Sequence, residues 1–214
     1  NAPHGPLCVP EKYRPAVRAR LDKALAKLPD LPPQQQTRLV RFLAMIENID
    51  ENIGLLDSFL KEQGLRENTI VVFLTDNGST FGPTYFNAGM RGGKTTLWEG
   101  GHRVPCFLRW PGGKLREPQD IEQLAQVQDL LPTLMDLCNV KYDFEQPLDG
   151  SSLAGLLRGE QESLADRMLV INYSRMPFGV NRPTPDNPAV PKLEGAAVLW
   201  NRWRLLENKE LYDV

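Results

Sequence analysis

Apolar positions recur at helical spacing over the first part of the chain and give way to short unbroken runs after it. From Glu11 to Leu28 a charged, Ala/Leu-rich stretch places Val17, Leu21, Ala24, Leu25 and Leu28 on one side of a predicted helix. Pro29-Asp30-Leu31-Pro32-Pro33 breaks it, and prolines are well tolerated in the first turn of whatever helix follows. The next stripe is Leu39, Phe42, Leu43, Ile46, Ile49, Ile53, Leu56 and Leu60. It predicts a long helix from about Gln34 to Gln63, with an apolar face made for a sheet and Gly64 closing its C-terminus. The run Ile70, Val71, Val72, Phe73, Leu74 then switches to β-branched and aromatic residues, which predicts a buried parallel strand.

Residues 76–102 are glycine-rich and predict a long loop, a length that in a compact domain usually carries function. Arg103–Trp110 reads as a second strand closed by Pro111-Gly112-Gly113, and Leu124–Gln128 as a short third. Asp129 is placed as the N-cap of a helix running through Leu137, and Leu148–Gly159 holds another short helix. After about Asp166 the character changes. Met168–Tyr173 predicts a strand, Pro177–Pro191 is irregular, and Gly195–Trp200 with Trp203–Glu207 flank Asn201-Arg202 as a hairpin. The expected fold class is α/β over residues 1–165, followed by a small antiparallel unit over 166–214.

Composition narrows the function classes. With Lys+Arg 25 against Asp+Glu 27 the formal net charge is −2, which argues against a nucleic-acid surface. No apolar run approaches the roughly 18–20 residues of a membrane span. Cys8, Cys106 and Cys138 are odd in number and far apart, so they define neither a zinc site nor a disulfide framework. Cys106 and Cys138 stand in apolar runs and are expected to be buried thiols. The chain opens without an initiator methionine or a signal peptide, and is expected to be a portion of a longer one.

The candidate chemistry sits where the first strand stops. Thr75-Asp76-Asn77-Gly78 puts two hard oxygen side chains at the strand's carboxyl end, the place where α/β sheets hold ligands. Asp76 and Asn77 are therefore candidate ligands of a divalent cation, although calcium needs about six to eight oxygens and magnesium about six. An Asn-Gly turn that merely ends the strand is the plain alternative. Further on, Gly92-Gly93-Lys94 offers an ammonium behind two glycines that permit close backbone approach, a combination suited to an oxyanion. Together these point to hydrolysis of a phosphate or sulfate ester.

The same residues carry a resemblance. Thr75-Asp76-Asn77-Gly78, the run GGKTTLWEGGHRVP at Gly92–Pro105, the opening Asn1-Ala2-Pro3-His4-Gly5-Pro6 and the late Glu210-Leu211-Tyr212-Asp213 resemble the sulfatase family of the alkaline-phosphatase-like superfamily. The resemblance covers essentially the whole chain and implies part of that superfamily's mixed sheet flanked by helices. Residues 1–165 would be the C-terminal part of the large domain, and 166–214 the small C-terminal one. It implies that Lys94 contacts the sulfate group and stabilises charge in the transition state, and that His4 binds sulfate or assists at the leaving oxygen. It also implies that Asp76 and Asn77 complete a calcium site, with magnesium as the alternative ion, whose other carboxylates lie upstream. In such enzymes a formylglycine hydrate attacks sulfur, and sulfate departs as the hemiacetal collapses to the aldehyde. The implied partners are a sulfated small molecule or glycan and the N-terminal part of the same protein. The implied compartment is an exported one: periplasmic, extracellular or lysosomal.

The formylglycine signature is Cys-x-Pro-x-Arg. Cys8-Val9-Pro10-Glu11-Lys12 matches its cysteine and proline but ends in lysine and follows His4 directly, so Cys8 is read as a coincidence. The nucleophile is expected outside this sequence, and this portion alone is expected to be inactive. His102 is assigned a structural or pocket-rim role, and Glu99 with Arg103 local ion pairs. Trp98, Trp110, Trp200 and Trp203 are read as core before sugar platforms. A phosphodiesterase or phosphonate hydrolase of the same superfamily, and a non-catalytic binding module, remain the alternatives.

Overall fold

The computed structural model describes residues 2–25, 31–141, 143, 145–172 and 193–214. Leu28, the break at Pro29-Asp30, Tyr173 and the proline-rich run 177–191 lie outside the described residues. The chain divides into two compact units, Asn1–Thr69 and Ile70–Val214.

The first unit is helical. A 3₁₀ turn at Glu11–Tyr13 leads into α1 (Arg14–Leu25), and α2 spans Pro33–Glu62. α1 packs on α2, burying Tyr13, Val17 and Leu21 from one side and Leu39, Val40, Ala44 and Met45 from the other. Asn48 donates to the Tyr13 hydroxyl at 2.6 Å, so the ring is buried with its polar end satisfied. Pro33 opens α2, where its missing N–H costs nothing. Gly64, at φ +67°, closes it as the N–H groups of Gly64 and Leu65 reach the carbonyls of Lys61 and Leu60. The stripe expected for a sheet is only partly covered: Ile46, Ile53 and Leu56 are exposed.

The second unit begins with β1 (Val71–Leu74), paired antiparallel to β2 (Cys106–Arg109) with Val71 opposite Arg109 and Leu74 opposite Cys106. The expectation of a buried parallel strand is thus corrected among the described residues. Nor is the strand buried: Val71, Val72 and Phe73 are half-buried and Leu74 is exposed, because an unbroken apolar run fixes neither the direction of its neighbour nor how many strands cover it. Two single-turn helices, α3 (Gly82–Tyr85) and α4 (Glu99–His102), lie inside the long loop between the strands. Then come α5 (Leu130–Leu137) and α6 (Ala154–Arg158), the latter ended by Gly159 at φ +74°. The final sheet runs β3 (Met168–Asn172), β4 (Ala196–Trp200), β5 (Trp203–Leu206) and β6 (Glu210–Asp213), antiparallel and in chain order. Asn201-Arg202 makes the predicted tight turn, with Asn201 at φ 48°. Leu169, Ala197, Leu199 and Leu206 form its core, against which Leu97, Trp98, Leu124 and Tyr212 pack.

Other sequence expectations are revised. Leu124–Gln128 forms no strand, and Val127–Asp129 is a 3₁₀ turn. Cys106 and Cys138 are exposed, because Cys106 starts a strand of a two-stranded pair and Cys138 follows the end of α5. Trp200 and Trp203 are exposed on the sheet, and Trp200 donates to Asp166 at 2.7 Å. Among the described residues no helix is long and apolar enough to cross a membrane.

Asp129 caps differently from the prediction. Its backbone precedes α5, but its carboxylate reaches back to the N–H of Gln126 at 2.8 Å. The same carboxylate accepts from the Ser151 N–H at 2.8 Å and takes both terminal nitrogens of Arg167 at 2.8 and 2.7 Å. Asp129 is 0 % exposed. Burial alone would push its carboxyl up, but the Arg167 hydrogen bonds and the two N–H donors together hold it below the usual 3.8. Its contribution is therefore complete above that value and is lost as pH falls through the lower folded value. Asp129→Asn is expected to cost about 3–5 kcal/mol in urea unfolding at pH 7, since it strands Arg167. The variant's stability should also lose the part of the acid-side decline that the parent shows below pH 3.8.

Candidate functional site

The long loop folds back on the end of β1 through backbone contacts. The Gly78 N–H donates to the Gly101 carbonyl at 2.9 Å, and the Lys94 N–H to the Ser79 carbonyl at 3.1 Å. A Cβ on Gly78 would stand 1.7 Å from the Gly100 carbonyl oxygen, and one on Gly93 2.8 Å from that of Ser79. Within the loop, a Cβ on Gly100 would meet the Gly92 carbonyl oxygen at 2.2 Å, and one on Gly101 that of Thr96 at 2.1 Å. The glycines of the two sequence motifs are thus packing requirements, since side chains there would force the segments apart.

Side chains complete the fastening. Asn87 donates to the carbonyls of Met90 and Gly92, each at 2.7 Å. Thr96 Oγ1 bridges the N–H and carbonyl of Gly93 at 3.2 and 2.8 Å. Thr95, directly after Lys94, sits at φ +76°. A β-branched residue there is a genuine outlier that costs about 1–3 kcal/mol and persists only when its surroundings hold it.

Asp76 and Asn77 at the strand end and Lys94 on the loop are therefore carried by interlaced segments. Asp76 is exposed, whereas Asn77 and Lys94 are half-buried. Their side chains make no hydrogen bond or ion pair with another described residue. They contrast with Glu99 of the same loop, 4 % exposed, whose carboxylate accepts from Arg204 Nε and from the Tyr212 hydroxyl, both at 2.8 Å. The local pair expected between Glu99 and Arg103 is replaced by one spanning 105 residues. Arg103 is exposed, and its backbone N–H closes α4 on the Glu99 carbonyl. Burial first, and then the bond to Glu99, push the Tyr212 phenol well up. His102 pairs its Nε2 with the Leu97 carbonyl at 3.0 Å, and burial lowers its pKa against the pull of Glu99. That environment suits the structural role assigned to it.

As a metal centre the donor set is chemically apt and incomplete. A carboxylate and an amide oxygen are the hard ligands that calcium or magnesium takes. Among the described residues no group of three or more His, Cys, Asp or Glu gathers to hold an ion. His4 belongs to the first unit, is exposed, and has its Nδ1 2.8 Å from the Gly5 carbonyl. Sequence reasoning missed Asn87, Arg204 and Arg91, which lies 4.1 Å over the Trp98 ring. Of these only Asn87 and Arg91 stood near a motif.

Comparison with known proteins bears on this arrangement. The family model for Sulfatase matches residues 1–140. The mouse steryl-sulfatase is 34% identical over 125 residues, which is 55% of this chain and 20% of that protein. A protein of Formosa agariphila named ulvan-active sulfatase is 29% identical over 185 residues, or 85% of this chain and 34% of its own length. Among solved structures, Ps i-CgsB in complex with k-i-k-neocarrahexaose superposes with a TM-score of 0.72 at 23% identity, covering 99% of this chain and 41% of that one. A phosphonate monoester hydrolase from Silicibacter pomeroyi superposes with a TM-score of 0.58 at 22% identity, over 86% of this chain and 37% of its own. At such identities the structural likeness speaks for the fold, an alkaline-phosphatase-like α/β architecture. The chain thus spans well under half the length of the proteins it matches.

The glycine contacts generate a paired expectation. Gly78→Ala should lower stability by about 1–3 kcal/mol, at the upper end because a backbone oxygen cannot yield as a side chain can. Gly54→Ala, in α2 with nothing within 4 Å of the added methyl, should raise it by about 0.5–1 kcal/mol. Thermal or urea unfolding of the two variants checks both signs.

Proposed function

The chain belongs to the sulfatase family, and from that premise we propose that it is the portion of a sulfate-ester hydrolase that presents Lys94 to the sulfate group and two oxygen ligands to a metal. The reaction is hydrolysis of an aryl or carbohydrate sulfate to the alcohol and inorganic sulfate. One observation carries the reading: the residues that follow Asp76-Asn77, Gly78 and Ser79, are hydrogen-bonded through their backbones to Gly101 and Lys94 of the loop, while the side chains of Asp76, Asn77 and Lys94 make no hydrogen bond or ion pair among the described residues.

Lys94 supplies a flexible positive charge from a fastened backbone, placed to meet oxygens as negative charge builds on them in the transition state. Asp76 and Asn77 would hold calcium, or magnesium in its place, with the rest of the shell coming from elsewhere in a longer protein. A bound divalent ion supplies further positive charge against the sulfate oxygens. His4 would donate a proton or hydrogen bond at the ester or leaving oxygen. Cys8 does not fit the formylglycine role, for Lys12 stands where the signature has arginine, and no step is assigned to it. The division at residue 165 into a large α/β part and a small antiparallel unit belongs to the same proposal, supported by the consecutive pairing of β3 to β6. So does export to a periplasmic, extracellular or lysosomal compartment, which rests on family membership.

In the full-length protein, Lys94→Ala is expected to lower kcat/KM for 4-nitrophenyl sulfate by about 10²–10³. Unchanged turnover would remove Lys94 from the site. Asp76→Ala should abolish calcium binding in calorimetry, and retained affinity would move the metal elsewhere. Hydrolysis of a phosphonate monoester faster than of the sulfate ester would favour the phosphonate reading over this one.

A further inference from the structure

The motif Glu210-Leu211-Tyr212-Asp213 is left without a role by the reading so far. In the structure it is β6, the last strand of the antiparallel sheet. Side chains alternate along a strand, and here Glu210 and Tyr212 are half-buried while Leu211 and Asp213 are exposed. The inward pair reaches two residues that bracket Lys94 in sequence. Glu210 makes an ion pair with Arg91, and the Tyr212 hydroxyl donates to Glu99.

We propose that β6 is a positioning strand for Lys94, gripping the lysine loop on both flanks through Glu210–Arg91 and Tyr212–Glu99. The inference rests on the reading that Lys94 meets the substrate's anionic group.

The two grips differ in strength. Glu99 and Arg204 are 4 % and 5 % exposed, and the Glu99 carboxylate has one oxygen on Arg204 Nε and the other on Tyr212. Arg204 is itself tied to the hairpin turn, giving Nη1 to the carbonyls of Asn201 and Trp203 at 2.8 and 2.9 Å. The Arg91 pair is exposed and so contributes less. Arg91 is seated, however, over the Trp98 ring, which packs on the sheet's core, and its carbonyl accepts the Gly100 N–H at 2.9 Å. Between the two grips lies Thr95 in the left-handed region, a conformation that relaxes unless both ends of the segment are held. The positive φ beside the lysine and the strand that brackets it are thus two independent signs of one arrangement.

The test uses the full-length protein with Tyr212→Phe, which keeps the ring and removes only the donor, and Glu210→Gln as the weaker grip. Amide hydrogen exchange over residues 92–96 is expected to rise about ten-fold in Tyr212→Phe, with exchange over 71–74 unchanged. Turnover of 4-nitrophenyl sulfate should fall about ten-fold through kcat, and less in Glu210→Gln. In a Lys94→Ala background Tyr212→Phe should change turnover by less than about two-fold, since its effect passes through the lysine. Unchanged exchange over 92–96, or losses that multiply in the double variant, would overturn the proposal. So would a lowered melting temperature with kcat intact, which is what a merely structural hydrogen bond predicts. If Lys94→Ala alone leaves turnover unchanged, the reading of Lys94 fails instead, and the exchange data still decide whether β6 holds the loop.

Discussion

A carboxylate removed from water must be paired, and in this chain that requirement falls on Glu99. Its partners, Arg204 and Tyr212, come from adjacent strands, β5 and β6, of the final sheet. A buried ion pair is no guarantee of net stability, because desolvation offsets the attraction. What it does supply is a fixed point: one oxygen of Glu99 takes a charged donor, Arg204, and the other a neutral one, Tyr212. The sheet is thereby the ruler against which the loop is set.

The second constraint is steric. Gly78, Gly93, Gly100 and Gly101 each stand where a Cβ would run into a carbonyl oxygen. Glycine contributes no contact energy of its own and carries an entropic cost on ordering. Such a cluster is useful only where backbone must lie on backbone. Here it lets the strand end and the lysine loop share hydrogen bonds directly, Gly78 with Gly101 and Ser79 with Lys94. The buried pair sets where the loop lies, and the glycines set how near it comes.

Much of this was legible in the residues. The two long helices, the hairpin at Asn201-Arg202 and the strands at Val71–Leu74 and Cys106–Arg109 follow from local periodicity and turn chemistry. The segments bearing Asp76, Asn77 and Lys94 were found from donor type and glycine spacing alone. What escaped was non-local. Antiparallel pairing of β1, the reach of Glu99 to Arg204, and the grip of Asp129 on Arg167 join residues whose separation no window spans. Asp129 is instructive: an aspartate ahead of an apolar helix looks like a cap, and it does accept a local N–H. Its burial, and hence its need for arginine, depends on neighbours that local pattern does not name. Cys106 shows the converse error, in which apolar flanks suggested burial that a two-stranded pair does not provide.

The charges of the lysine loop divide into two kinds, and the division explains the site's design. Glu99 is spent on the sheet, Arg91 on Glu210 and Trp98, and neither is free to turn toward a ligand without breaking what it holds. Asp76, Asn77 and Lys94 hold nothing among the described residues, although the backbone beneath Lys94 is held closely. An ammonium on a slack loop would first have to lose the loop's freedom before it could meet an anion, and that loss would be subtracted from binding. An ammonium on a loop already ordered by other charges meets the anion without that cost. Under the proposed role of Lys94, the preorganisation that electrostatic catalysis requires would be furnished by residues that take no part in it.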